Sequence, residues 1–410
     1  MPTTNESVTP RPPADIPEAE VILRPTTDYP KKIPVSRNCS NADWFQCLVQ
    51  FHPQRRGIPM TKYLIFLAQL SAALAQTGPY QAEGLPNYLI ARTQVRDRFL
   101  SELPPSTHGF SPQFVIETLK RWDPGMTVRV AFNGGSNALR KQISDSASVW
   151  LVLTDRNVTK ANIKLDFGYN PATGAYRSWS PADTQPAAEV RISFNQAGYW
   201  SVVGRDSQDP SIVKAGEASM NFGGFTVGLP PDWHAVIAHE FGHAFGFQHE
   251  HQSPLGGCDS QFRWFDDPQY EPTRDQFGQY IIDANGRRPG IYTVLGGPPN
   301  NWPAAQVDFN LKQLANSSAF HVGPFDSKSV MMYSFPAWMF VSPQSPCHTN
   351  ENLVLSDQDK AGFVQTYPST PADVITQLNQ RRDFLGSVLS SPFLPATNKA
   401  QFKAMFDAIH

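Results

Sequence analysis

Cysteine is scarce in this chain. There are 4 in 410 residues, Cys39, Cys47, Cys258 and Cys347, and none forms a C-x-x-C pair. That spacing excludes thiolate zinc fingers and thioredoxin-type redox chemistry. An even count without metal spacing points to disulfides and an oxidising compartment, with Cys258 and Cys347 a candidate staple; four buried thiols in an intracellular protein is the alternative. The net charge is only −2 and no basic block occurs, so neither nucleic acid nor an anionic membrane surface is an expected partner. Internal repeats are absent, which removes solenoids and calcium-binding Gly-Gly-x-Gly-x-Asp arrays. Long apolar runs are missing too: Tyr63 to Ala75 is 13 residues, too short to span a bilayer.

What is present is core-forming material and much proline. Hydrophobic residues make up 40% and aromatics 12%, enough for one large or two modest domains, while 37 prolines argue for long ordered loops. Residues 1–59 are rich in Pro and Thr and read as a disordered upstream extension. Residues 60–75 combine a basic start (Met60-Thr61-Lys62), the short apolar run and a small-x-small ending. They read as a signal peptide, with Met60 the working start and the product secreted; an apolar helix inside a pro-segment is the alternative. Residues 76–118 form a pro-segment or linker, 119–368 a catalytic domain, and 369–410 a C-terminal helical extension. The sequons at Asn157 and Asn316 add little weight.

Histidine is also rare, 10 residues, yet three fall within the stretch His239-Glu-Phe-Gly-His-Ala-Phe-Gly-Phe-Gln-His249. Residues four apart share a helix face, so His239 and His243 can reach one metal ion, with Glu240 beside them. Gly246 can adopt the left-handed conformation that ends a helix and returns the chain, bringing His249 to the same ion. Three nitrogen ligands with one open corner describe a catalytic Zn2+ site. A chance match at all five fixed positions is about one in a hundred thousand for this composition.

The motif resembles that of metzincin zinc endopeptidases, and Ser329-Val330-Met331-Met332-Tyr333 is similar to their methionine turn. Glu250 after the third histidine, in Gly-Phe-x-His-Glu, resembles the astacin branch. His251-Gln252-Ser253-Pro254 departs from that branch, and no cysteine-switch or F-x-G-D blocking motif appears in 76–118. A matrixin-type enzyme is disfavoured by Glu250. Leu355-Ser356-x-x-Asp359 is similar to the helix that closes metzincin catalytic domains.

The resemblance, over roughly residues 120–368, implies an α/β (α+β) catalytic domain. Its parts would be a twisted mixed sheet, two long helices above the zinc cleft and a loop-rich lower subdomain. It implies a secreted zinc endopeptidase acting on protein or peptide substrates, with His239, His243 and His249 as metal ligands and Glu240 as proton shuttle. Tyr333 would help stabilise the oxyanion, Met331 would floor the site, and Glu250 would meet a new N-terminus. A non-catalytic zinc-binding module on the same fold is the competing function.

Locally, 126–132, 163–167, 190–194 and 218–222 alternate like strands, and 138–151 has helical spacing. The resemblance makes 218–222 the substrate rim, with Ser219, Met220 and Asn221 near the peptide; an ordinary edge strand is the alternative. Asp232 is placed to cap the metal helix, and His234 reads as structural. Two amphipathic helices are expected after residue 369, packed on the domain.

Overall fold

The alternating run at the start of the catalytic region forms the central strand of a mixed sheet. In a computed structural model, residues 82–101, 119–152, 161–314, 323–392 and 394–409 are described. The expected signal segment, the sequons, Cys39 and Cys47 lie outside them. Helix α1 (Asn87–Ser101) precedes strand β1 (Thr127–Phe132), helix α2 (Asn137–Ala147), and strands β2 (Lys164–Asp166), β3 (Val190–Ser193), β4 (Tyr199–Ser201) and β5 (Met220–Phe222). The sheet order is β2-β1-β3-β5-β4, with β4 alone antiparallel. Val128, Val130 and Phe132 of β1 and Val190 and Ile192 of β3 are buried together, as interior parallel strands require.

Helix α3 (Trp233–Ala244) crosses this layer and carries the histidine motif. It is buried almost all round: Ile237 and Phe241 enter the main core, and burying a side chain such as Phe241 contributes roughly 1.5–3 kcal/mol. Two indoles hold its backbone. Trp150 Nε1 donates to the Ala238 carbonyl at 2.8 Å, and Trp122 Nε1 to the Ala244 carbonyl at 2.7 Å. Helix α2 packs beside it, capped by Ser136, whose Oγ accepts from the Leu139 amide.

Below the cleft the chain is mostly turns, with a two-stranded ribbon of β6 (Thr273–Arg274) and β7 (Tyr280–Ile281). Two short helices, α4 (Ile291–Gly296) and α5 (Ala304–Leu311), add more order than the sequence reading anticipated. They form a second core with Phe262, Phe335 and Phe340, stapled by the expected Cys258–Cys347 disulfide. Helices α6 (Asp357–Thr366), α7 (Pro371–Ser390) and α8 (Ala396–Asp407) follow. The last two pack on Leu100 and Leu119, and Arg381 donates to the Arg121 carbonyl at 2.7 Å.

Two expectations are corrected. Strand 218–222 is not the rim: β5 lies between β3 and β4, and Met220, Asn221 and Phe222 are buried. The sheet edge on that side is β4, which three residues among turns are too few to announce as a strand. Asp232 does stand at the N-cap of α3, but its carboxylate caps no amide; its backbone carbonyl receives the Ala235 amide at 2.8 Å. His234 is structural as expected, its Nδ1 2.9 Å from Ser146 Oγ.

Candidate metal centre

The last turn of α3 and the reversal after it bring the three histidines together. Gly246 has φ +98°, the left-handed conformation anticipated from the sequence, and the chain doubles back so that His249 faces His243. His239 Nε2 lies 3.1 Å from His243 Nε2, which is 3.0 Å from His249 Nε2.

The other ring nitrogen of each imidazole is engaged. His239 Nδ1 donates to the Val330 carbonyl at 2.7 Å, His243 Nδ1 to the Phe247 carbonyl at 2.8 Å, and His249 Nδ1 to Gln252 Oε1 at 3.1 Å. Carbonyl oxygens can only accept, so the protons sit on Nδ1 and three Nε2 lone pairs converge. Lone pairs held that close repel unless a cation lies among them. This donor set suits zinc.

Glu240 supports the same reading. It is fully buried, and neither carboxyl oxygen has a hydrogen-bond partner among the described residues. Burial, reinforced by the neighbouring Glu83 carboxylate, pushes its pKa well above the usual glutamate value. An orphaned carboxyl beside a metal site is placed to meet a water there.

Beneath the imidazoles lies the turn 329–333. Met331 is buried against Gly242, where any side chain on the helix would collide with its sulfur. The Glu250 amide donates to the Met331 carbonyl at 2.9 Å, tying the turn to the third ligand's neighbour. Tyr333 stacks over His249 with ring centroids 4.3 Å apart. Its hydroxyl donates to the backbone carbonyl of Glu83 at 2.8 Å.

Glu83 is the residue that sequence reasoning missed. It belongs to the segment 82–86 that leads into α1. Its Oε1 lies 3.1 Å from His239 Nε2, 3.8 Å from His249 Nε2 and 3.9 Å from His243 Nε2. Glu83, His239, His243 and His249 thus form a four-residue group able to hold a metal ion. A lone Glu in Gln-Ala-Glu-Gly carries no spacing signal. Only its place in the cleft reveals it.

Gln252, at the departure from the astacin pattern, was missed as well. While accepting from His249, its Nε2 donates to the Phe309 and Lys312 carbonyls at 3.0 Å each, anchoring the third ligand to the end of α5. On the far side, Glu250 Oε1 accepts from the Asp326 amide at 2.8 Å, and burial pushes its pKa up to about 7. Glu250 lines a cavity of about 730 Å³ together with Arg121, Asp326 and Asp359.

No family model matches the sequence, and no curated protein does. Among solved structures, two of myroilysin are similar. One has 25% identity and a TM-score of 0.43, covering 62% of this chain and 97% of that one. The other has 25% identity and a TM-score of 0.38, covering 61% and 86%. Both scores are low, and it is the local geometry of the imidazoles and carboxylates that bears on function.

Proposed function

We propose that the chain is a secreted zinc-dependent endopeptidase of astacin-like type, held here in a latent form. The observation that carries this reading is the convergence of three Nε2 atoms, each on a ring whose Nδ1 faces an acceptor, beside the buried Glu240 carboxyl. His239, His243 and His249 would hold a zinc ion, which would supply a Lewis acid for the peptide carbonyl and for the attacking water near neutral pH. Glu240 takes the proton as that water attacks and returns it to the departing amine. Strand β4 offers a sheet edge along which an extended peptide can lie, paired through its backbone and so largely independent of sequence. Tyr333, packed against His239 and His249 and released from the Glu83 carbonyl, would help stabilise the oxyanion.

The Cys258–Cys347 disulfide supports an oxidising compartment, and among the described residues no helix is long and apolar enough to cross a membrane. Arg121 and Glu250 line one cavity. An N-terminus freed shortly before Arg121 would therefore reach Glu250, and N-terminal sequencing of the active form together with Glu250→Gln tests that pairing.

The competing reading is a closed structural site in a binding module, and Glu83 in the fourth corner is the observation that favours it. The two readings part in the form processed shortly before Arg121, which has lost Glu83 and its segment. A peptidase hydrolyses casein once that segment is gone, stops with chelator and resumes with zinc. Adding Glu240→Gln should then cut the rate by roughly 10²–10⁴. Undiminished hydrolysis with Glu240→Gln removes Glu240 from the mechanism; none in the processed form removes the peptidase.

A further inference from the structure

Helix α5 presents two side-chain amides to the cleft. Gln306 and Asn310 are one turn apart on the same face, and both are buried. Asn310 Nδ2 donates to the Gln306 carbonyl at 2.8 Å within the helix, which leaves Oδ1 to accept from outside it. That oxygen accepts from the Leu85 amide at 3.1 Å, and Gln306 Nε2 donates to the Leu85 carbonyl at 2.9 Å. Both backbone groups of one residue are thus held by two side chains, as a neighbouring strand would hold them.

This wall is anchored and tied to the metal site. Val307 and Leu311 enter the lower core beside the Cys258–Cys347 staple. Gln252, the partner of His249, donates to the Phe309 and Lys312 carbonyls at the end of the same helix. Asn310 and Leu85 line a cavity of about 300 Å³ together with His243, His249 and Trp200 of β4.

Beside the clamped residue is a slot with no room for a side chain. A Cβ on Gly84 would lie 2.6 Å from Trp302 Cη2 and 2.9 Å from Asn310 Cγ. Trp302 is itself fixed, its amide donating to the Leu295 carbonyl at 2.8 Å and its ring packed on the lower core. The Leu85 side chain packs on the apolar cluster that includes Trp200 and Val202.

We propose that Gln306 and Asn310 are the backbone clamp for substrate, and that Trp302 makes the adjoining subsite selective for glycine. The substrates are then peptides in which glycine stands next to an apolar residue, with Gly84 and Leu85 standing in for that pair. The inference rests on the peptidase reading above and adds its substrate class. The clamp touches only N–H and C=O groups and so supplies affinity without regard to side chain. The slot supplies selectivity, because a methyl group there must displace an indole held on both sides.

The test uses the zinc-loaded form processed shortly before Arg121, with Glu240→Gln to prevent turnover. Its probes are labelled hexapeptides carrying Gly-Leu or Leu-Gly, beside their Ala-Leu and Leu-Ala counterparts. Fluorescence anisotropy should show the better glycine peptide binding roughly tenfold tighter than its alanine counterpart. Trp302→Phe, which withdraws the Cη2 edge but keeps an aromatic ring on the core, should shrink that ratio to about threefold or less. Gln306→Ala and the isosteric Gln306→Glu both lose the donor, and each should weaken glycine and alanine peptides alike by roughly tenfold. In the full chain, Gly84→Ala should lower amide-exchange protection at Leu85, and Trp302→Phe should restore part of it. Equal affinity for glycine and alanine peptides overturns the slot, as does unchanged protection in Gly84→Ala. Unchanged affinity in both Gln306 variants overturns the clamp. Should the glycine preference hold while the processed chain with Glu240 intact cuts none of these peptides, clamp and slot stand and the peptidase reading falls.

Discussion

Ser329 donates its hydroxyl to Asp359 Oδ1 at 2.6 Å, and the neighbouring Val330 amide donates to Oδ2 of the same carboxylate at 2.8 Å. Asp359 is also the third residue of α6, where it completes a capping box with Ser356. One buried carboxylate therefore starts the closing helix and fixes the turn whose Val330 carbonyl orients His239.

Asp359→Asn should lose part of this linkage at small cost in volume. Each hydrogen bond to a charged group contributes about 1.5–3 kcal/mol, so a loss of roughly 2 kcal/mol in denaturant unfolding is expected. Zinc affinity should fall alongside, because the His239 partner is no longer held. Stability lost without any change in metal affinity would show that the turn does not orient the ligand.

Gly242 lies between the first two ligands' turns and has no room for a methyl group. A Cβ there would collide with Met331 Sδ and come within 3.1 Å of Trp150 Cζ2. Gly242→Ala should destabilise by about 1–3 kcal/mol despite the better helix propensity of alanine. Pairing it with Met331→Ala should recover part of the loss in a double-mutant cycle. Simple additivity would mean that the two do not meet.

Gln252 orients His249 and is itself held by two carbonyls. Gln252→Ala should weaken zinc binding roughly 10–100-fold, the usual effect of removing a ligand's hydrogen-bond partner. Competition with a chromophoric chelator measures this directly. At zinc about a thousandfold above its Kd, chelation should also remove about 4 kcal/mol of apparent stability from the wild-type chain. A melting temperature indifferent to chelator contradicts a zinc site.

Glu189 accepts from the Arg129 amide and guanidinium, linking the approach to β3 with β1 at 2.7–2.9 Å. Burial would raise its pKa, but the Arg129 contacts hold it below the ordinary value of 4.5. A carboxyl with a depressed folded pKa adds stability above its unfolded pKa and loses it as pH falls through the folded one. Glu189→Gln should therefore cost about 1 kcal/mol at pH 7, discounted because Arg129 is half exposed, and progressively less below pH 4.5. An undiminished difference at pH 3 would mean that charge is not the source.

Much of the metal site was legible without coordinates. His239, His243, Gly246 and His249 sit within one turn and its reversal, where helical periodicity and glycine's tolerance of positive φ decide geometry locally. Strands β1, β2, β3 and β5 and helix α2 declared themselves for the same reason, since periodicity is a property of neighbouring residues. The turn 329–333 and the Leu355–Asp359 start of α6 were each visible as motifs. That Asp359 bonds to Ser329 was not, because 30 residues separate them.

Tertiary structure alone decided which strand lies at the sheet edge and what stands opposite the three imidazoles. β4 is three residues long and gains its identity only by pairing with β5. Glu83 and Arg96 are ordinary charged residues in the sequence. They meet buried partners because folding carries Glu83 across more than 150 positions of chain to His239, and Arg96 across 110 to Asp206. Local sequence sets conformations within reach of a few bonds; which distant charges must share a buried space is settled only when the core closes around them.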